Sequence, residues 1–281
     1  MNNGRSQPVV IDSKAAVALM EPLTELVMRA GEAILALNRA DVSIERKRDG
    51  SPVTQADLAA DRIIAEGLAR LVPEVAVVSE ERVELAKPPY IGSYFLVDPL
   101  DGTKEFLAGR DEFTVNLALV TNNAPLMGII GAPALGLIWR GMVGRGAERL
   151  TTGAKTTAEP IRTRSFAKSG EPWIAAVSRS HGDSRTDAFI AARPGAIRKA
   201  LGSAVKFGRV AEGQADIYPR LAPTSEWDVA AGHAIVTAAG GTITDAQGDP
   251  VLFGTGRAGF LVPEFIAWGD PAAARRHTSV L

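Results

Sequence analysis

The chain has 281 residues, of which 46% are hydrophobic and 22% charged, with 31 Lys and Arg residues against 32 Asp and Glu. The net charge of −1 creates no overall field for nucleic acid or an anionic membrane, so any recognition of phosphate must be local. Because there is no cysteine, disulfides, thiolate zinc sites and cysteine nucleophiles are excluded, and three histidines disfavour a histidine-rich metal site.

The start of the chain, MNNGRSQP, lacks the apolar core of a secretory signal. No uninterrupted apolar run approaches the length of a membrane span. A soluble cytoplasmic protein is therefore expected, with enough residues for one large domain or two smaller lobes.

The first half of the chain predicts two helices followed by strands. Apolar residues recur at helical spacing from Asp12 to about Ala40, with Asp12 or Ser13 as cap, and Thr54 opens a second helix. The segments PEVAVVSEE and YFLVDPLD each predict a buried strand that ends in acids. Further strands, predicted at FTVNLALV, LMGIIGAPALGLIW and GMVGRGAERL, indicate an antiparallel meander.

The second half of the chain predicts alternating strands and helices. Residues 151–172, rich in Thr, Ala, Lys and Pro, form the predicted lobe boundary. The predicted strands are WIAAVS, AVKF and IYPR, and the predicted helices are SRTDAFIAAR, the short GRVAEG and a segment from about Glu226 to Ala239. The pattern predicts an α+β lobe over residues 9–160 and an α/β lobe over residues 161–281.

Carboxylates stand at strand ends or helix starts in four segments, SPVTQAD, VVSEE, VDPLDGT and SEWDVAAG. The first and last have the spacing of a capping box, so helix capping is an alternative role for Asp57 and Asp228. In VVSEE, the pair Glu80 and Glu81 fits a solvated loop as well as a binding site.

The segment VDPLDGT is not explained by a turn alone. A turn needs one Asp or Gly, whereas here Asp98 and Asp101 flank Pro-Leu after four apolar residues. Carboxylates at a buried strand end must be paired, hydrogen-bonded or bound to a metal. Basic residues are scarce nearby, so an oxygen-ligated Mg²⁺ is a better counter-charge for these carboxylates than a basic side chain. Gly102 and Thr103 would then offer amides to a phosphate at a helix start.

The segments SPVTQAD, VVSEE, VDPLDGTKEF and EWDVAAGHAI together resemble the inositol monophosphatase superfamily of Mg²⁺-dependent, lithium-sensitive phosphatases, in the family's order over residues 49–241. The resemblance implies a two-lobed, layered α-β-α-β-α sandwich of the inositol monophosphatase and sugar phosphatase type. LDGTKEF, VSRSH and GSAVKFGRVAEGQADIYPR further resemble the 3′(2′),5′-bisphosphate nucleotidase branch. That branch removes the 3′-phosphate of adenosine 3′,5′-bisphosphate, a by-product of sulfate activation.

The resemblance also implies the metal ligands. Glu80, Asp98 and the Leu100 carbonyl would hold a first Mg²⁺, and Asp98, Asp101 and Asp228 would hold a second. Two metals that share a ligand can clamp the scissile phosphate and lower the pKa of a water molecule for in-line attack.

The same resemblance implies the catalytic pair. Asp57 and Thr103 would orient and deprotonate the attacking water through the Thr hydroxyl, with Glu80 also among the catalytic residues. Glu81 would either support Glu80 or hold a third, weaker cation, and no phosphoenzyme is implied.

Substrate recognition is implied for residues from both halves of the chain, namely Gly102, Thr103, His181, Ser203, Lys206, Arg220 and Asp228. A phosphate remote from the metals needs donors, and Lys206 and Arg220 would supply them. From the residues alone, a solvated face is the favoured explanation for these two, and a loop histidine is the favoured explanation for His181.

The expected partner is a small phosphorylated molecule rather than nucleic acid or an integral membrane segment, and a homodimer is left open. One alternative is the same chemistry on inositol phosphate, fructose bisphosphate or histidinol phosphate. Another is a non-catalytic sensor of metal or nucleotide, which would be expected to lack Asp57 or Thr103. Both are present, which favours an enzyme.

Overall fold

The computed structural model describes residues 8–37, 39, 44–46, 52–86, 90–165, 171–180 and 182–277. The helices of these ranges are α1 Ser13–Leu35, α2 Gln55–Leu71, α3 Thr103–Leu107, α4 Ser184–Ala191, α5 Val205–Ala211, α6 Glu226–Ala238 and α7 Pro271–His277. The strands are β1 Ile44–Arg46, β2 Pro52–Thr54, β3 Ala76–Ser79, β4 Ser93–Asp101, β5 Thr114–Thr121, β6 Ala124–Ala132, β7 Leu137–Met142, β8 Gly146–Thr151, β9 Thr157–Ile161, β10 Ile174–Ser178, β11 Ile197–Leu201, β12 Ile217–Arg220, β13 Thr224–Ser225, β14 Thr242–Thr244, β15 Leu261–Val262 and β16 Phe265–Trp268.

Two large mixed sheets organise the described part of the chain. The first has seven strands in the order β3-β4-β5-β6-β7-β8-β9, with β3 and β4 parallel and the other neighbours antiparallel. The predicted meander is therefore confirmed from β5 to β8. The second sheet has five strands in the order β11-β10-β12-β16-β14, in which β10 is parallel to both of its neighbours.

The alternation of side chains along β4 separates two cores. Phe95 and Val97 belong to an outer core that also contains the buried faces of α1 and α2. Tyr94 and Leu96 face the other way, into a core built with α5 and α6 between the two sheets. A third core, centred on Trp268, lies beneath α4 and α7. The expected α-β-α-β-α layering is confirmed.

The segment AVKF was predicted as a strand, and that prediction is wrong. Val205 begins α5, which runs to Ala211 and includes most of the predicted helix GRVAEG. Six of its seven residues are buried, so no polar face marks a helical period in the sequence. The missed strand beside it is β11, an edge strand whose first four side chains are exposed.

One helix end differs from prediction, and the segment predicted as the lobe boundary contains a strand that was not predicted. The first helix ends at Leu35 rather than near Ala40, while its cap is Asp12, as predicted. The predicted boundary at 151–172 contains β9, which pairs with β8 and completes the first sheet. The chain passes to the second sheet between Ile161 and Ile174.

None of the described helices combines the length and apolar character needed to cross a bilayer.

Candidate active site

Asp98 and Asp101 lie on the same face of the first sheet because β4 contains a bulge. Asp98 pairs with Asn116 of β5 and Asp101 pairs with Thr114, so three steps along β4 match two along β5. In a regular strand, residues three apart point to opposite faces. The extra residue returns both acids to one face, while the Leu100 side chain is buried in the outer core.

Three elements bring carboxylates together at this edge of the sheet. Glu80 follows β3, Asp98 lies on β4, and Asp228 lies in the first turn of α6. One carboxylate oxygen from each of the three lies within 4.8 Å of the others. Glu80 and Asp228, which are 148 positions apart in the chain, thus lie in one cluster with Asp98. All three are among the metal ligands that the resemblance implies.

Burial and mutual repulsion govern the charge of this cluster. Burial raises the pKa of Asp98 well above its ordinary value, and the charges of Glu80, Asp101 and Asp228 raise it further. Burial also raises the pKa of Asp101 to about 7, with Asp228 adding to the rise and Lys206 opposing it. Buried carboxylates that repel one another require a counter-charge, and an all-oxygen donor set suits Mg²⁺. The residues therefore fit a hard divalent cation.

Asp57 combines helix capping with a hydrogen bond to Thr103. Its Oδ2 accepts hydrogen bonds from the Thr54 amide at 2.8 Å and the Thr54 hydroxyl at 2.6 Å, which completes a capping box. Its Oδ1 accepts the Thr103 hydroxyl at 3.0 Å. Burial raises the pKa of Asp57, although these hydrogen bonds oppose the rise. Asp57 therefore caps α2, as the alternative from the sequence predicted. This role is compatible with the catalytic role that the resemblance implies.

Asp228 also has two roles that are compatible. Its Oδ2 accepts the Ser225 amide at 3.3 Å and the Thr224 hydroxyl, so the carboxylate caps α6. The same side chain belongs to the acidic cluster with Glu80 and Asp98. The N-terminus of α6, where a helix carries partial positive charge, favours a carboxylate at this position.

A cavity of about 980 Å³ is lined by the acidic cluster and by the predicted basic residues Lys206 and Arg220. Lys206 is only 3% exposed, and its ammonium lies 5.1 Å from the centre of the Tyr218 ring. Burial lowers the pKa of Lys206 to about 8, while the charge of Asp101 opposes that shift. One cavity thus contains both an acidic region and a basic region.

Ser203 lies beside Asp101 and Gly102, at the end of β4. Its hydroxyl donates to the Asp101 carbonyl at 2.7 Å, and its own carbonyl accepts the Lys206 ammonium at 2.5 Å. A Cβ added to Gly102, whose φ is +91°, would lie 2.1 Å from the Ser203 hydroxyl oxygen. Gly102 is therefore needed both for its backbone conformation and for this close approach.

Leu100 and Glu81, two further predicted site residues, also line the cavity. The Leu100 carbonyl accepts the Thr103 hydroxyl at 3.3 Å, and the Leu100 amide donates to Asp98 at 3.1 Å. Glu81 lines the cavity and contributes to the raised pKa of Asp98. His181 lies outside the described residues.

Sequence reasoning missed two residues of the site. Asn116 is 1% exposed in β5 and donates to the Asp101 carboxylate at 3.4 Å; an Asn inside the apolar run FTVNLALV was the available signal. Tyr218, on β12 of the second sheet, lines the cavity beside Lys206. Its signal was the strand spacing of two from Arg220, which places both side chains on one face.

Comparison with known proteins identifies the family. The model described as the inositol monophosphatase family matches residues 16–275. The chain belongs to that family. The matched range includes the motifs at the ends of β3 and β4 and at the start of α6.

Two relatives of the family carry the same descriptive name. The 3′(2′),5′-bisphosphate nucleotidase CysQ of Salmonella typhimurium is 39% identical over 255 residues, which covers 88% of this chain and 98% of the relative. The nucleotidase CysQ of Escherichia coli K12 is 37% identical with the same coverage. These relatives confirm the resemblance to the bisphosphate nucleotidase branch.

Solved structures of the family agree with the fold. CysQ from Bacteroides thetaiotaomicron superposes with a TM-score of 0.72 at 33% identity, over 88% of this chain and 96% of that one. The IMPase of Thermotoga maritima superposes with a TM-score of 0.76 at 25% identity, over 93% and 97%. The fold is therefore shared across branches, and the substrate must be argued from the cavity.

Proposed function

We propose that this protein is a Mg²⁺-dependent phosphomonoesterase that hydrolyses the 3′-phosphate of adenosine 3′,5′-bisphosphate to give AMP and phosphate. The observation that carries the proposal is the cavity of about 980 Å³ lined by an acidic cluster together with Lys206 and Arg220. Its volume is in the range of sites that enclose small molecules. The nucleotidase relatives support the same substrate class.

Five residues would hold two Mg²⁺ ions. Glu80, Asp98 and the Leu100 carbonyl would bind one, and Asp98, Asp101 and Asp228 would bind the other. When bound, the ions would supply the positive charge that attracts the phosphate and makes a water molecule a stronger nucleophile at neutral pH. Asn116 and Thr114, which donate to the Asp101 carboxylate at 3.4 and 3.5 Å, would hold it in its binding orientation.

Thr103 and Asp57 would move the proton. The Thr103 hydroxyl donates to Asp57 at 3.0 Å, so it can accept a hydrogen bond from the attacking water and pass a proton to the carboxylate. Because burial raises the pKa of Asp57, the carboxylate is a stronger base than an exposed aspartate. Its second oxygen is held by Thr54, which keeps the first directed at Thr103.

The basic part of the cavity would bind the phosphate that is not cleaved. Lys206 and Arg220 both line the cavity, and an anion buried there without donors would be costly to desolvate. Arg220 can bind a phosphate through two parallel hydrogen bonds. Ser203 and His181 would help to place the nucleotide.

The test is phosphate release from a panel of substrates. The panel contains adenosine 3′,5′-bisphosphate, adenosine 3′-monophosphate, inositol 1-phosphate and fructose 1,6-bisphosphate, each assayed with Mg²⁺. We expect the highest kcat/KM for adenosine 3′,5′-bisphosphate. A preference for inositol 1-phosphate or fructose 1,6-bisphosphate would assign the protein to another branch of the family, and binding of the nucleotide without turnover would indicate a sensor.

A further inference from the structure

A buried glutamate connects two motifs that are far apart in the chain. Glu105 lies on α3, two residues after Thr103, and is 4% exposed. Its Oε1 accepts the hydroxyl hydrogen bond of Ser180, which lies 75 residues later in the motif VSRSH. The guanidinium of Arg110 lies 4.0 Å from the same oxygen. The carboxylate of DGTKEF thus holds the segment that follows β10.

A second glutamate makes the corresponding contact to the turn that follows β11. The Glu112 carboxylate accepts the Gly202 amide at 2.8 Å and forms an ion pair with Arg179. Arg179 also donates to the Ala200 carbonyl at 3.0 Å, at the end of β11. Glu112 therefore contacts both the turn after β11 and, through Arg179, the segment after β10.

The turn held by Glu112, residues 201–203, packs closely against Glu112 and against Asp101 at the end of β4. A Cβ on Gly202 would lie 2.5 Å from the Glu112 carbonyl oxygen, so the two backbones approach as near as glycine allows. Ser203 adopts a left-handed conformation, with φ at +47°, and its hydroxyl donates to the Asp101 carbonyl at 2.7 Å. Because the Lys206 ammonium donates to the Ser203 carbonyl at 2.5 Å, the position of the turn also sets the position of that charge.

From these contacts we propose that Glu105 and Glu112 are positioning residues that set substrate preference. They fix the segments at 178–180 and 201–203 beside Asp101, the last residue of β4, and so fix the distance between the acidic cluster and the basic part of the cavity. A nucleoside with two phosphates needs both regions at the correct separation, whereas a small monophosphate needs only the acidic one. This inference rests on the proposed function.

The test compares kcat/KM for adenosine 3′,5′-bisphosphate and inositol 1-phosphate in four variants. Glu112→Ala removes the acceptor of the Gly202 amide, and Glu112→Gln retains it. Ser180→Ala removes the donor to Glu105 from an exposed residue and leaves the buried carboxylate in place. Asp187→Ala is the matched control, because it breaks an ion pair with Arg198 of β11 that does not touch the turn.

We expect Glu112→Ala and Ser180→Ala to lower kcat/KM for the bisphosphate about tenfold, chiefly through KM, with a change of less than about threefold for inositol 1-phosphate. Glu112→Gln should recover most of the loss, and Asp187→Ala should behave as wild type. The melting temperature of each variant is measured alongside, so that general loss of structure is recognised.

Equal losses on both substrates would overturn the inference, because they would show a purely structural role for the two glutamates. Variants that keep the full preference would overturn it as well, while leaving the proposed function intact. A wild-type protein with no preference for the bisphosphate would overturn the proposed function and this inference together.

Discussion

The Thr103 hydroxyl lies 3.0 Å from Asp57 Oδ1, although the two residues are 46 positions apart in the chain. The other oxygen of the same carboxylate caps α2 through Thr54. One aspartate therefore joins the start of a helix in the outer layer to the loop that carries Gly102 and Thr103. If the proposed function holds, substitution of Asp57 should change both stability and turnover.

Loss of either Asp57 or Thr103 should abolish most turnover. Removal of a positioned general base lowers the rate by about 10²–10⁴-fold, and we expect this for Asp57→Asn and Thr103→Ala. Because both would act on one water molecule, the double variant should be hardly slower than either single variant. The measurement is kcat on the bisphosphate, with Thr103→Ser as the control that retains the hydroxyl and most of the activity.

The capping role of Asp57 gives the same experiment a second readout. Asp57→Asn weakens the capping box as well as the catalytic pair, so its melting temperature should fall more than that of Thr103→Ala. Near-normal activity combined with a large fall in melting temperature would mean that Asp57 serves only the helix.

Without metal, the protein should lose stability as the pH rises. The pKa of Asp98 and the pKa of Asp101, about 7, are raised in the folded state, so the folded protein binds more protons than the unfolded chain. This stability is fully present below the unfolded pKa values of about 4 and is lost as the pH passes through about 7. Thermal unfolding in chelator at about pH 5.5 and about pH 8 measures it.

Two additions to that experiment identify the cause. Mg²⁺ should raise the melting temperature more at the higher pH, because it supplies the missing counter-charge. Asp98→Asn removes one of the repelling charges and should flatten the pH dependence while abolishing activity. A metal-free protein that is more stable at the higher pH would contradict the electrostatic account of the cluster.

Activity should require Mg²⁺ and should be inhibited by Ca²⁺. Ca²⁺ is larger than Mg²⁺ and tolerates looser geometry, so it would occupy the oxygen ligands without holding the phosphate correctly. Inhibition by Li⁺ is expected from the family. Activity is measured after chelation and on return of each cation, and full activity after thorough chelation would remove the metal from the mechanism.

Arg220 and Lys206 should matter for the bisphosphate far more than for a small monophosphate. A lost hydrogen bond to a charged group costs roughly 1.5–3 kcal/mol, or about tenfold or more in kcat/KM. Arg220→Ala removes the charge, whereas Arg220→Lys keeps the charge and removes the bidentate hydrogen bonding. Since Lys206 also holds the Leu201 and Ser203 carbonyls, Lys206→Ala should have the larger effect of the two alanine variants.

The close packing of the middle layer predicts one large stability effect. A Cβ on Gly128 of β6 would lie 2.2 Å from the Ala231 carbonyl oxygen of α6, so Gly128→Ala must separate helix and sheet. Overpacking of this kind costs about 1–3 kcal/mol of unfolding free energy. Denaturant unfolding measures it, and Gly153→Ala, with no atom within 4 Å of the new Cβ, is the control.

The sequence by itself indicated where a counter-charge is needed. Acids directly after buried runs, with few basic residues nearby, require a counter-charge wherever the chain folds. The resemblance to the family, rather than the charge pattern alone, then implied Glu80, Asp98, Asp101 and Asp228 as ligands of two metal ions. Strand and helix periods likewise determined the meander and the two long helices of the outer layer.

The sequence was not sufficient where burial erases the periodic signal. α5 is buried on nearly all sides, so AVKF reads as a strand although Lys206 and Phe207 lie on a helix. The edge strand β11 was not predicted for the opposite reason. Its side chains are mostly exposed, so it lacks the alternation that a half-buried strand shows. Both errors concern the segment that places the basic part of the cavity.

Only the tertiary structure decided how the pieces act on one another. The bulge after Asp98 depends on the register of β5, and no local pattern in DPLD specifies which face Asp101 will share. The contacts of Glu105 with Ser180 and of Glu112 with Gly202 join segments 75 and 90 residues apart. The residue types show which charged groups need a partner. Which distant residue becomes that partner depends on how the two sheets pack around α5 and α6.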